Sequence, residues 1–366
     1  IFFLMMHAGK NLVISAMSAD IVLAMLSLGA EGQTLKEIND ALRLPDSEFV
    51  TAYKPAIDKM NAFKEVIFNL ANKVYLSKEY PLAPDFTNNA IHLFSSDAEN
   101  IDFSENTAAA EKINSWKTSI YDYSYMTLKF YSREIEKISN DTICYFLYVF
   151  LSQGSWKNRF DPEITVETSF HVSATDEIPI QMMYQDSVNK YRESAALDAK
   201  VIIYIFFLFL LMSMVFILPN QIDGLAALEK KLADDYANFP AAVIGLQSVQ
   251  VYVNLPKFKI ETTANLNDAL MKLGMSSMFS GNAELGGLLA NPVPLKVTKV
   301  IQKTFIDVNE NGVTAAAATG KSNEWVITLT FIGYYSLIYI FLTRLFTHVF
   351  EGVFLLPSRR VFGSLV

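Results

Sequence analysis

The run VIQKTFIDVNENGVTAAAATGKS, residues 300–322, constrains the fold more than any other stretch. Its first half alternates apolar and polar side chains, as a strand does. Its second half places four alanines, Ala315, Ala316, Ala317 and Ala318, where the chain is due to turn. Alanine is the best helix former and is depleted in strands. Local propensity therefore predicts a short helix capped by Thr314 and stopped at Gly320. Any other reading needs a reason, from elsewhere in the chain, for side chains this small.

Composition narrows the field. With 366 residues, 51% of them hydrophobic, the chain can bury a sizeable core. A formal net charge of -8 and the lack of any basic run argue against a nucleic-acid partner. One cysteine, Cys144, excludes an internal disulfide and leaves the compartment open. His7, His92, His171 and His348 lie far apart, none in zinc-ligand spacing, so neither a metal nor a cofactor is called for. TGKS at 319–322 has the end of a phosphate-binding loop, but Ala315 stands where that loop needs its first glycine. No catalytic constellation is visible. The opening IFFLMM is too short for a complete signal peptide and lacks a cleavage site, so it reads as a chain already cut into. One glycosylation sequon begins at Asn140 and would matter only in a secreted chain.

SADIVLAMLSLGAEG predicts a buried helix, capped by Ser18 and ended by Gly29 and Gly32. TLKEINDALRLP carries a capping box from Thr34 to Glu37. NTAAAEKINSW and LNDALMKLGMSSMF also read as helices. NLANKVYLSKEYPLAPDF holds a strand-like run broken by two prolines. VQVYVNLPKFKIET alternates as one half-buried strand, and KVTKVIQKTFIDVN is a long strand. Helices early and strands late give an α+β class. Two uncharged runs, 201–218 and 326–343, are long enough to cross a membrane as helices; their β-branched and aromatic content fits pairs of buried strands equally well.

The blocks NLVISAMSADIVLAMLSLGAEGQT, ANKVYL, GSWKNRFDPEITVETSFHV, IPIQMMYQ, SMVFILPNQIDGL, LPKFKIE, LGMSSMF and VIQKTFIDVNENGVTAAAAT occur in that order. In them the chain resembles the serpins, a family of suicide serine-protease inhibitors, and their arthropod branch above all. The resemblance implies one domain over 1–366, well matched over 9–322 and divergent at 119–135, 203–212 and 323–366. It implies an α+β fold with a large sheet A, two further sheets and about eight or nine helices. It also implies a monomer, working outside the cell, whose partner is a serine protease held in a covalent acyl complex; intracellular residence stays open.

The resemblance gives the alanines a second explanation. They match the hinge of a reactive-centre loop that inserts into sheet A after cleavage. Family geometry turns Val313, Ala315, Ala317 and Thr319 inward, with Thr314, Ala316 and Ala318 on the other face. Small side chains can enter between separating strands without overpacking. Gly312 is the pivot, and Glu310 stands where the family keeps an acid. Family spacing places the scissile bond between Val326 and Ile327, inside the second apolar run. Ser15 and Ser18 match serines beneath sheet A, and Trp156 matches the tryptophan at its top. Three positions depart: Val313 and Thr314 replace the usual hydroxyl and acid, and Tyr148 replaces an asparagine that bridges strands. Loss of that amide is expected to unpair buried groups at roughly 1–3 kcal/mol. These departures keep two alternatives open: a non-inhibitory or defective protein of the same fold, used for binding or storage, and a membrane-associated protein resting on the two apolar runs.

Overall fold

A computed structural model describes residues 11–42, 53–61, 67–120, 144–153, 156–171, 175–205, 213–235, 237–312, 327–330 and 337–341. The first helix, α1 (Ala16–Ser27), is capped by Ser15, whose hydroxyl accepts the N–H of Ser18. Ser18, the cap expected from sequence, therefore lies inside the first turn. Ile21, Val22, Leu23, Ala24, Met25 and Leu26 are all buried, so beyond exposed Asp20 this helix is a core element on every side. Gly29 follows because a Cβ there would meet Leu288 at 2.5 Å.

Helix α2 (Gly32–Leu42) starts two residues before Thr34, so the expected capping box does not form. Its two side chains make tertiary ties instead. Thr34 Oγ1 accepts the N–H of Glu284, and the Glu37 carboxylate takes the N–H and hydroxyl of Ser277 at 2.8 and 2.6 Å. Burial alone would raise that carboxyl, but these bonds and one from Gln33 outweigh it and hold it below its ordinary value.

The chain continues through α3 (Tyr53–Asn61), β1 (Ile67–Ser77), α4 (Pro84–Phe94), β2 (Asp97–Ile101), α5 (Asn106–Ile120), β3 (Cys144–Gln153), β4 (Val166–His171), β5 (Glu177–Ser194), β6 (Ala199–Ile205), β7 (Ser213–Pro219), α6 (Leu225–Asp234), α7 (Asn238–Val243), β8 (Gln247–Pro256), β9 (Phe258–Asn265), α8 (Asn267–Lys272), β10 (Lys299–Val308), β11 (Ile327–Thr330) and β12 (Leu337–Phe341). Eight α-helices thus stand among the described residues, within the number expected. The second of the two strand-breaking prolines, Pro84, opens α4, where its missing N–H has no partner to lose.

Five strands form one sheet in the order β2-β1-β3-β10-β9. A larger sheet runs β11-β8-β5-β6-β7-β12, with β4 also on β5. The 18-residue β5 is shared: Glu177 to Met182 pair with β4, Met182 to Tyr191 with β8, and Lys190 to Ser194 with β6. Two sheets therefore join along β5, matching the two further sheets that the resemblance implied. VQVYVNLPKFKIET is a correction. It is two strands in two sheets, split where Pro256 offers no N–H and Lys257 donates across to Gln181 O at 2.8 Å.

The apolar runs resolve as strands wherever they are described. Within 201–218, β6 and β7 pair antiparallel, Val201 opposite Ile217; within 326–343, β11 pairs β8 and β12 pairs β7. No helix of the described residues is long and apolar enough to cross a membrane. Apolar cores lie on both faces of the five-stranded sheet. Val74, Leu76, Cys144 and Val300 pack toward α1, and Ile306 and Val308 pack with Trp156, Tyr204 and Phe216 beneath the larger sheet. On the opposite face, α5 covers Tyr75, Tyr145 and Ile301 with Ala109, Ala110 and Ile113.

Candidate functional site

Strand β10 organises the site. Val300, Gln302, Thr304, Ile306 and Val308 alternate along it, and all five are buried on the face toward α1 and the larger sheet. Two of them are polar, and both hold the segment that leads into α1. Gln302, fully buried, accepts the Ser15 N–H at 3.1 Å and donates to the Ser15 carbonyl at 2.8 Å. The Thr304 hydroxyl donates to the Val13 carbonyl, while the Val13 N–H goes to Thr262 Oγ1 on β9. Ser15 and Ser18 hydroxyls meet at 2.9 Å. The two serines singled out in the sequence are thus brought together, and Gln302 on the sheet holds the backbone of Ser15.

The register continues this polar row across the sheet. Gln302 lies opposite Tyr148 on β3, and Tyr148 lies opposite Asn72 on β1. Asn72 is buried. Its amide donates only a long 3.3 Å bond to Ser96, and its Oδ1 has no hydrogen-bond partner. An orphaned acceptor of this kind costs about 1–3 kcal/mol. It sits next to the position where the sequence expected a missing asparagine to unpair its neighbours.

The upper end of β10 is a tight turn. Asn309 and Gly312 form an antiparallel bridge, Gly312 N–H donates to Asn309 O at 3.0 Å, and Gly312 has φ +79°. Only glycine adopts that conformation without strain. Trp156, just beyond β3, grips the turn: its Nε1 donates to Asn309 O at 2.9 Å and its N–H to Asn311 O at 3.2 Å, while Phe160 N–H donates to Glu310 O. The Trp156 ring packs edge-on against Tyr204 at 5.4 Å. Glu310 is buried and bonded to Lys257 Nζ at 3.0 Å; one step below, Asp307 pairs with Lys259 at 2.8 Å. Burial alone would raise the Glu310 carboxyl, but its own N–H and the Lys257 ammonium reverse that and hold it below its ordinary value.

The centre of the sheet has an unusual seam. β3 and β10 run parallel, yet each is antiparallel to its outer neighbour, β1 or β9. The pairing of β10 with β9 extends up to Val308, whereas that with β3 stops at Phe305. At the turn end of β10 the edge toward β9 is paired up to Val308, and the edge toward β3 is open beyond Phe305.

Of the residues named from the sequence, Trp156, Glu310 and Gly312 meet at the top of the seam, and Ser15 and Ser18 meet at its middle. Val313, Thr314, Ala315, Ala316, Ala317, Ala318, Thr319, Val326 and Asn140 lie outside the described residues. Ile327 opens β11, its backbone opposite Val251. Gln302, Asn72, Lys257 and Asp307 were missed. For Gln302 a signal existed: it interrupts the inward, otherwise mostly apolar series of an alternating strand.

Comparison with known proteins agrees with this architecture. The serpin (serine protease inhibitor) family pattern matches residues 3–334, and the chain belongs to that family. Over 317 residues it is 34% identical to serine protease inhibitor 42Dd of Drosophila melanogaster, spanning 86% of this chain and 82% of that protein. It is 31% identical to Serpin48 of the insect Tenebrio molitor, whose crystal structure is described as that of a highly specific serpin, with a TM-score of 0.76 over 87% of this chain and 85% of that one. Human thyroxine-binding globulin, solved in complex with thyroxine, superposes with a TM-score of 0.81 at 24% identity, over 92% of this chain and 89% of that one; that likeness concerns the fold alone. Protease inhibition is thus the general activity of the chain's relatives, and catalysis is not.

Proposed function

We propose that the chain, acting as one domain over 1–366, is a suicide inhibitor of a serine protease outside the cell. The protease takes the segment beyond Gly312 as substrate and forms an acyl-enzyme on its own serine. Cleavage frees the segment, which enters the seam between β3 and β10 as a new strand and carries the tethered protease with it. Distortion of the protease's oxyanion hole then stalls deacylation, because that hole contributes several kcal/mol to the step. This inhibitor supplies bait and stored free energy and does no catalysis of its own.

The observation that carries the reading is the seam with its turn. A strand returning from Gly312 would run antiparallel to both β10 and β3. It would replace the sheet's one central parallel pairing by two antiparallel ones, which are slightly more stable per residue. The small side chains at 315–318 suit that entry. Incubation with a panel of serine proteases tests it: an SDS-stable complex supports inhibition, and cleavage without a complex contradicts it.

A second reading, a binding or storage protein of the same fold, is favoured by one observation. The unpartnered Asn72 Oδ1 marks a weakened polar row beneath the seam. Under that reading nicking releases no stored free energy.

A further inference from the structure

The turn above β10 holds the only Asn-Gly pair in the chain, Asn311–Gly312. An asparagine followed by glycine can close on itself. The glycine nitrogen attacks the asparagine's side-chain carbonyl carbon, and the missing Cβ leaves that approach clear. Asn311 is half-buried, and among the described residues its side-chain amide makes no hydrogen bond, so the carbon under attack is free to turn. The Asn311 carbonyl accepts the Trp156 N–H at 3.2 Å. A bond donated to that oxygen favours the amide anion, whose charge the oxygen shares and whose nitrogen is the nucleophile. One bond opposes the reaction. The Gly312 N–H donates to Asn309 O at 3.0 Å, an oxygen that Trp156 Nε1 also holds at 2.9 Å. The closed turn keeps the reacting proton occupied, and local opening releases it.

The step balances with water alone. The Gly312 nitrogen gives its proton to solvent and bonds to Asn311 Cγ, and ammonia leaves with Nδ2. The succinimide ring then takes up water at either carbonyl. Opening at one gives aspartate on an unaltered backbone. Opening at the other gives isoaspartate, whose main chain runs through Cβ and Cγ and is longer by one carbon. The hydrogen-bonded bridge of Asn309 to Gly312 then no longer closes in its present geometry. The carbonyl that the Trp156 N–H grips becomes a carboxylate, a second negative charge beside buried Glu310, whose cation is Lys257.

We propose that Asn311 is a site of spontaneous deamidation, gated by opening of the Asn309–Gly312 turn and passing through a succinimide to aspartate and isoaspartate. The proposal goes beyond the inhibitory reading and does not rest on it, since the chemistry needs only the turn and water. It limits the lifetime of the turn at the top of the seam. Each opening exposes the chain to a change that reclosing cannot undo, and the isoaspartyl product loses the Trp156 grip.

Peptide mapping of the full chain, incubated warm in mildly alkaline buffer, tests it, with electron-transfer fragmentation to tell aspartate from isoaspartate. In the folded chain Asn311 is expected to convert faster than any other asparagine, with isoaspartate among its products. In urea the same residue is expected to convert at least about tenfold faster, because opening no longer limits it. Trp156→Phe removes the Nε1 bond to Asn309 O and is expected to speed conversion in the folded chain about threefold or more. Asn311→Gln is expected to give no isoaspartate at this turn. An Asn311 that stays intact in the folded chain, that yields aspartate alone, or that converts more slowly than another asparagine overturns the site. Equal rates in buffer and urea, or a Trp156→Phe protein with native circular dichroism and an unchanged rate, overturn the gate.

Discussion

Gln302→Ala removes the side chain that ties the central strand of the sheet to the start of α1. Two buried backbone groups of Ser15, its N–H and its carbonyl, lose their partners at once. Each orphaned group costs about 1–3 kcal/mol, so the pair costs about 2–6 kcal/mol. That is a large share of the 5–15 kcal/mol that typically separates folded from unfolded domains, by the usual order of magnitude. At about 2.1 cal/mol/K of unfolding entropy per residue, a chain this long shifts by about 1.3 °C per kcal/mol, giving a fall of about 3–8 °C in Tm. Thermal unfolding followed by circular dichroism measures it. Gln302→Glu sets a buried carboxylate against the Ser15 carbonyl, and at neutral pH is expected to destabilise at least as much as the alanine variant. Hydrogen exchange at residues 13–18 is expected to accelerate in the alanine variant. A Tm within about 1 °C of the parent, with unchanged exchange there, would refute the role assigned to Gln302.

Ala317→Arg is expected to convert the protein from inhibitor to substrate, because insertion of this segment as a strand would bury an unpaired charge; SDS gels with a reactive protease read the change, and a full yield of complex contradicts it. Lys257→Met is expected to destabilise by about 1–2 kcal/mol at pH 7, since the buried Glu310 carboxylate loses its ammonium partner. The Glu310 value is depressed in the folded state, so this contribution is complete above the ordinary 4.5 and is lost as pH falls through the folded value; parent and variant denaturation curves are expected to converge in acid. An elastase-like protease is expected to release a fragment with Ile327 as its new N-terminus, read by mass spectrometry, because Val326 suits a small apolar pocket; cleavage only elsewhere removes that assignment.

Much of this fold was legible where the signal was local. Alternation named β10, whereas the uncharged runs fitted buried strands and membrane helices equally well until the pairing of β6 with β7, β11 with β8 and β12 with β7 decided for strands. The errors came where a side chain had a choice of partners. Ser15 and Ser18 are both sound cap residues, and the choice fell to Ser15 because Gln302, far away in sequence, fixes its backbone. Thr34 and Glu37 have the spacing of a capping box, but Glu284 and Ser277 offered tertiary partners, and α2 began earlier. The switch of sheets at Lys257 was hidden because alternation continues through it. Of the site, Glu310, Gly312 and Trp156 were named from resemblance. Their physical partners, Lys257 and the carbonyls of Asn309 and Asn311, required the structure.

The central claim is that a strand from this chain enters between β3 and β10 once the loop is cut. The melting temperature of the protein before and after a single mapped nick within 323–330 tests it most directly. A new strand paired on both edges, displacing a shorter parallel ladder, is expected to raise Tm by more than about 10 °C. A Tm that stays level or falls after the nick would mean that the seam stays closed, and that the alanines beyond Gly312 serve some other end.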